Sequence, residues 1–508
     1  MRVLLRNGVI YANGPQPLTA MLCADDRIVW VGKDHDGHAA DRVIDLDGRI
    51  VVPAFVDAHV HLTSTGLDVV DCAVPDPSLL LTRFAPSSAV VVGHGWDDTD
   101  WPRNWFDIDA FEAQVGNTAV YASRVDVHSA FVSRALLRQV PSDLDGWSVT
   151  GILTRAAHAH ARTLAFAALT DEQRRTAQQR ALRIAAERGI AGLQEMSGPA
   201  IASARDAQLL RDQASVHSPA VAIWWGELHG IHTARELGAY GVGGDLVIDG
   251  SVGSRTAAFH EPYFDGPGKG ELYQDLDELI AHITEALHAG LPNSFHAIGD
   301  AAISQVIEAY SQVARTIPLD RIRGARHRIE HCELIRDTDL QQLAEFGIVA
   351  SMQPAFDAHW GGDGMYRQRL GVERAARMNR FATMARAGVQ LAFGSDAPVT
   401  ALDPWAGVHA AQFHRTQEES LTQRGAIAAH TRGGWRSIGV DDAGMLTEGW
   451  EATYAVWEGT GNVVAAPDER ISRWSTDPRA GIPQLPDMRQ ARCVLTVRRG
   501  ETLFDALS

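Results

Sequence analysis

The sequence is almost without lysine. Only Lys33 and Lys269 occur among 508 residues, and arginine supplies the other basic side chains. High-GC coding accounts for such a bias, but it also leaves few positions at which a lysine could act. Cysteine is scarce too. Cys23, Cys72, Cys332 and Cys493 are scattered and form no Cys-x-x-Cys pair. That excludes a disulfide framework and suits a reducing cytoplasm. No apolar run approaches the roughly 18 residues that a membrane span requires. Met1–Gly8 also lacks the hydrophobic stretch of a signal peptide. Positive charge is in deficit, with a net charge of −17 and a pI near 5.6. Nucleic acid is therefore excluded as a partner, because phosphate binding needs a basic face.

What is present is an ordinary globular composition, 45% hydrophobic and 21% charged, in a chain long enough for a large barrel with accessory pieces. Short strands punctuated by Asn-Gly and Asp-Gly turns occupy residues 1–50, and similar strands recur at 452–457 and 493–497. Between them, apolar strands at 51–61, 190–195, 219–226, 246–250, 293–298, 327–332, 347–352 and 390–396 alternate with helical stretches. Eight such strands predict an α/β fold, a (β/α)8 barrel, with a small β-sandwich built from both chain termini. The domains follow as 1–50 and 441–508 for the sandwich and 51–440 for the barrel. An insertion at about 65–185 is expected over the substrate pocket. The Pro/Gly-bearing stretch 461–487 reads as loop.

The run Val51–His61 ends in His59-Val60-His61. Alternation along a strand points both imidazoles the same way, and two neutral imidazoles on one face suit a divalent metal. Three further strand ends carry metal-capable side chains: His296 in Asn293–Asp300, His331 in His327–Cys332, and Asp396 in Leu391–Pro398. Barrel active sites are built from the C-terminal ends of several strands, and these residues form an N/O donor set for a divalent cation.

These motifs resemble those of the amidohydrolase superfamily, on the "amidohydrolase 3" branch that includes N-substituted formamide deformylase. Asp57-x-His59-x-His61, Asp249–Ala257, His296-Ala297-x-Gly299-Asp300, Arg328–His331 and Gly394–Pro398 carry the resemblance across nearly the whole chain. The resemblance implies a metal-dependent hydrolase of non-peptide carbon–nitrogen bonds, with N-acyl or N-formyl amines as substrates. His59, His61 and Asp396 would hold one metal, zinc by default. His296 and His331 would hold a second, or complete a single-metal site. Asp396 would carry the catalytic proton, and His331 would polarise the carbonyl.

The chain departs from the family where binuclear members bridge their metals with a carboxylated lysine. That position is Asp245. Because Asp245 begins the strand 246–250, it is expected at the opposite rim, which favours one metal ion over two. Glu195, at another strand end, is a candidate replacement ligand. Trp96, Ser254, Arg255 and Gln353 are candidates for contact with a small-molecule substrate; His128 has no assigned role. The rival readings are an esterase or lactonase, a deaminase, which Gly299 disfavours where deaminases carry glutamate, and an inactive binding protein. A homo-oligomer is left open.

Overall fold

Ala54 divides the apolar run near the N-terminus between two sheets. The computed structural model describes residues 1–12, 18–33, 38–102, 104–459, 463–464 and 484–507. In it, Ile50–Pro53 pairs with Val9–Ile10 and with Tyr454–Glu458, which in turn leads to Arg492–Arg498 and Glu501–Asp505. A second terminal sheet contains Arg2–Arg6, Ala20–Ala24, Arg27–Gly32 and Arg42–Asp45. Leu5, Met21 and Ile28 of that sheet share one buried cluster with Val51, Val456 and Leu495 of the first. Most of the stretch 461–487 lies outside the described residues.

Past Ala54, Phe55–Val60 joins a parallel sheet with Ile190–Ser197, Ala220–Trp225 and Gly241–Val242. A second parallel sheet holds Ser294–Ala297, Arg328–His331, Val349–Met352 and Leu391–Phe393. Parallel bridges join the two sheets on both sides: Val242 and Val247 to Asn293 and His296, and Val60 to Ala397. The strands are buried on both faces, as in any parallel sheet covered by helices. Phe55, Leu193, Phe295 and Ile329 pack in one core with helix residues such as Ile303 and Leu343. Each such side chain contributes about 1.5–3 kcal/mol by leaving water.

Between Phe55–Val60 and Ile190–Ser197 the chain builds a separate five-stranded sheet from Val70–Asp71, Val91–Trp96, Val120–Arg124, Ser129–Val132 and Ile152–Thr154. It has its own aromatic core of Phe84, Trp96, Phe106, Phe111 and Phe131. The helix Arg155–Ala167 follows it. Among the described residues, no helix is long and apolar enough to cross a membrane, and all four cysteines are buried and free.

The expected strand at 246–250 is displaced. The regular strand is Gly241–Val242, and it breaks at Gly243 and Gly244, whose φ angles are 114° and 82°. Beyond the break the chain rejoins its neighbour: His296 N donates to Leu246 O (3.1 Å) and Ile248 N to His296 O (3.0 Å). Asp245 therefore sits within an interrupted strand rather than at its start. Only glycine fits Gly243, because a Cβ there would lie 1.8 Å from the Ser294 carbonyl oxygen. Gly290 also has positive φ, 74°, yet nothing lies within 4 Å of its Cβ position. Gly243→Ala should accordingly lower stability by more than Gly290→Ala, which carries only the backbone cost of about 1–3 kcal/mol. Thermal unfolding of the two variants measures the difference; equal shifts would contradict this account of the break.

Candidate metal centre

Asp57, His59 and His61 alternate onto one face of the strand that begins at Phe55. Asp57 Oδ1 accepts from the backbone N–H groups of His59 (3.2 Å) and Ser395 (3.0 Å), tying this strand to the turn after Leu391–Phe393. Gly394 permits the close approach, since a Cβ there would lie 2.5 Å from His59 N. The turn then delivers Asp396, at φ 55°, beside both histidines. His331 has φ 68°, which breaks the strand alternation and turns its ring to the face shared by Arg328 and Glu330. Such conformations are costly for non-glycine residues and concentrate at functional sites.

The five residues expected from the sequence meet here, but Asp245 lies among them. Its Oδ2 is 3.3 Å from His61 Nε2, and its Oδ1 is 3.6 Å from His59 Nε2 and His296 Nδ1 and 3.9 Å from His331 Nε2. Asp396 Oδ1 is 3.1 Å from His61 Nε2 and 3.4 Å from His59 Nε2. The expectation that Asp245 lies at the opposite rim is thus overturned. The Gly243–Gly244 break shifts the strand's register, so this carboxylate enters the site from the neighbouring strand.

Each imidazole is held from behind. His59 Nδ1 bonds Glu330 Oε2 (2.9 Å), His61 Nδ1 bonds the Met196 carbonyl (3.2 Å), His331 Nδ1 bonds Gln353 Oε1 (2.9 Å), and His296 Nε2 bonds the Gly250 carbonyl (3.3 Å). All four partners are acceptors, so each outer nitrogen carries a proton and the inner nitrogen is the one left to ligate; burial disfavours a second proton, but the facing carboxylates raise His59 and His296 above the ordinary imidazole range. Four inner ring nitrogens and two carboxylates therefore converge. His59 Nε2, Asp245 Oδ1 and Asp396 Oδ1 are buried without a hydrogen-bond partner. This donor set fits a divalent cation. The separations of 3.1 and 3.4 Å from Asp396 Oδ1 to His61 and His59 are close to the edge, about 3.3 Å, of a tetrahedron with bonds of 2.0–2.1 Å. His59, His61 and Asp396 form one three-donor group, and His59, Asp245 and His331 a second.

Beneath the cluster lies a buried ion pair. Arg328 donates to both oxygens of Glu330 at 2.8 Å, to Ala58 O at 2.7 Å and to Ser351 Oγ at 2.8 Å, and also bonds Gln194. Burial alone would raise the Glu330 carboxyl, but Arg328 and His59 outweigh it and bring it down to about 2. Burial likewise opposes ionisation of Asp245 and Asp396, and the imidazoles facing them hold both below the usual carboxylate range.

The remaining sequence candidates fall elsewhere. Glu195 lies behind His61, where it accepts from Leu62 N at 2.6 Å; burial pushes it up to about 7 against the pull of His61. It belongs to neither donor group among the described residues. Gln353 orients His331. Trp96 is a core residue of the inserted sheet, its indole donating to Ala122 O (2.8 Å), because its side chain faces the aromatic cluster. Arg255 is turned outward onto Asp265 (2.6 Å) by its positive φ. Ser254 braces Asp126 at 3.0 Å behind the site. The Asp249 carboxylate accepts from Ala258, Ile298 and Gly299 N–H groups, so it organises loops rather than ligands. Sequence reasoning also missed His128, whose ring stands 4.9 Å from that of His296. A cavity of about 650 Å³ opens on the cluster, reached by His61, Asp245, His296 and His128, and the inserted helix Arg155–Ala167 forms one wall.

The sequence profile of the amidohydrolase family matches residues 42–504. A putative amidohydrolase of Bacillus subtilis, YtcJ, is 25% identical over 84% of this chain and 87% of its own. N-substituted formamide deformylase of Arthrobacter pascens is 23% identical over 76% of this chain and 78% of its own. Among solved structures, an uncharacterized metal-dependent hydrolase from Pyrococcus furiosus superposes with a TM-score of 0.70 at 26% identity, covering 90% of this chain and 98% of the other.

Glu330→Gln keeps the shape but removes the charge behind His59. Loss of such an outer-shell partner weakens metal affinity by about 10–100-fold. Competition with a chelator should show that loss, whereas unchanged affinity would contradict the role given to Glu330.

Proposed function

Because this chain belongs to the amidohydrolase family, we propose that the cluster directs water onto a non-peptide carbon–nitrogen bond, with N-acyl and N-formyl amines as the substrate class. The observation that carries the reading is the outward fixing of all four imidazoles, which leaves their inner nitrogens facing Asp245 and Asp396. The formamide chemistry named for the Arthrobacter relative supports the substrate class. The two parallel sheets and their bridges support a (β/α)8 barrel over about 51–440, and the terminal sheets with their common core support a β-sandwich from residues 1–50 and 441–508.

In this reading His59, His61 and Asp396, with Asp245 beside them, would hold the principal cation, zinc being the usual occupant of such a set. Asp245 also faces His296 and His331, and the three form the place of a second ion. Asp245 provides a carboxylate at the position of the bridging lysine, close to His59, His296 and His331. When bound, the metal supplies charge stabilisation to a carbonyl oxygen and acidifies water. The chain does the rest. Asp396, with one oxygen directed at the histidines, takes the proton of the attacking water and carries it to the leaving nitrogen. An amine leaves poorly without that proton. Glu330 and Gln353 keep the imidazoles in the tautomer that ligates. The inserted helix encloses the cavity and limits water.

Purified, metal-loaded protein should hydrolyse members of a panel of N-formyl and N-acetyl amines. Asp396→Asn should lower kcat by about 10²–10⁴-fold, the usual contribution of a positioned acid–base group, and by a larger factor than it lowers metal content. Cleavage of esters and lactones but of no amide would overturn the substrate class. An Asp396→Asn variant with full amidase activity would overturn the mechanism.

A further inference from the structure

The cavity holds a cation that the proposed chemistry does not use. Arg155, Ala156, His158, Ala159 and Arg162 line it from one face of the helix Arg155–Ala167, at helical spacings of three and four residues. The charges along the cavity are otherwise accounted for. Arg155 pairs with Asp145 (3.1 Å) and Glu271 (3.0 Å). Glu227 accepts from the Trp225 indole at 2.7 Å. Asp245 faces the imidazoles. Arg162 is only 9% exposed, and among the described residues it has no hydrogen bond and no ion pair. Its guanidinium lies over the Phe166 ring, 5.3 Å from the centroid. Neighbouring His158 offers no charge to oppose: burial first, then Arg162, keeps it down to about 3, and its Nε2 bonds the Tyr121 hydroxyl at 2.8 Å.

The side chain is mostly buried, yet its donors meet the cavity and no protein partner among the described residues, which leaves the planar fork open to an anion. The Phe166 ring beside it favours the guanidinium's place on this wall. We propose that Arg162 binds a carboxylate of the substrate, so that the amides cleaved here are N-acyl amino acids or similar N-acylated acids rather than neutral amides. This rests on the hydrolytic reading above for the reaction, but not for the binding. It also gives the inserted helix a part in specificity. The chain as a whole is strongly acidic, so a local cation inside the cavity is what allows an anionic substrate to settle there.

The test uses matched pairs that differ only in the carboxylate: N-acetylphenylalanine against N-acetylphenethylamine, and N-acetylalanine against N-ethylacetamide, with both enantiomers of each acid. Binding by calorimetry and kcat/KM are measured on zinc-loaded wild type, Arg162→Met, which keeps the stem over Phe166, and Arg162→Lys, which keeps the charge. At least one acid should bind and react better than its neutral partner. Arg162→Met should weaken that acid by roughly 30-fold or more, mainly in KM, while leaving the neutral partner within about twofold; Arg162→Lys should fall between. Equal handling of both members of every pair, an equal loss for acid and neutral amide in Arg162→Met, or no Arg162-dependent binding of any acid at millimolar concentration would each overturn the proposal. Arg162-dependent binding without cleavage of any amide would leave the anion site standing and remove the hydrolytic reading. Cleavage of neutral amides with indifference to the acids would do the reverse.

Discussion

Four imidazole nitrogens and two carboxylates converge on one buried point, and the rest of the site is arranged to make that arrangement tolerable. With the donors 3.1–3.9 Å apart, the buried carboxylates need positive charge beside them, which protons on the imidazoles or a divalent cation can supply. The protein cannot relax the arrangement by turning the rings, since each is tied through its outer nitrogen to Glu330, Met196, Gln353 or Gly250. Nor can it swing the carboxylates away. Asp396 is delivered by a turn clamped to Asp57, and Asp245 by a chain break that only glycine can make. The site's affinity for positive charge is therefore a property of backbone geometry as much as of side-chain identity.

The interior below the site follows from the same demand. Glu330 can remain ionised in a dry interior only because Arg328 donates to both its oxygens, and Arg328 in turn is satisfied by Ala58, Ser351 and Gln194. A buried pair of this kind adds little stability by itself. Its effect is to fix the tautomer and plane of His59. The parallel strands thus carry polar residues on the face that supports the cluster and apolar ones, such as Ile329, on the face that meets the helices. The inserted sheet contributes from outside: its trailing helix walls the cavity and places Arg162 there.

Much of this was legible in the sequence because the ligands lie where hydrophobic strands end. His59-x-His61 was readable from alternation alone, and His296, His331 and Asp396 from their positions after short apolar runs. Asp245 was not, since its location depends on where the strand begins. A run at 246–250 suggests a strand starting there, whereas the regular strand is Gly241–Val242 and a two-glycine interruption follows. Paired glycines inside an apolar run are the signal that could have corrected it. Trp96 and Arg255 were misplaced for a related reason: composition shows that a loop carries an aromatic or a charge, but not which way the chain turns it. Glu330 was open to the alternation argument, being two residues from Arg328 on the same strand face, yet nothing local says that His59 lies above it. Arg162 stands at helical spacing from Arg155 and His158, but its lack of a partner is visible only in three dimensions.

The central claim is that Asp245 replaces the missing lysine as the carboxylate shared by the metal centre. Anomalous diffraction from crystals of zinc-loaded protein tests it directly. The account predicts a peak within about 2.0–2.2 Å of an Asp245 oxygen that is also ligated by His59, His61 and Asp396. A zinc ion held by the histidines and Asp396 with the Asp245 carboxylate outside its coordination shell would contradict it.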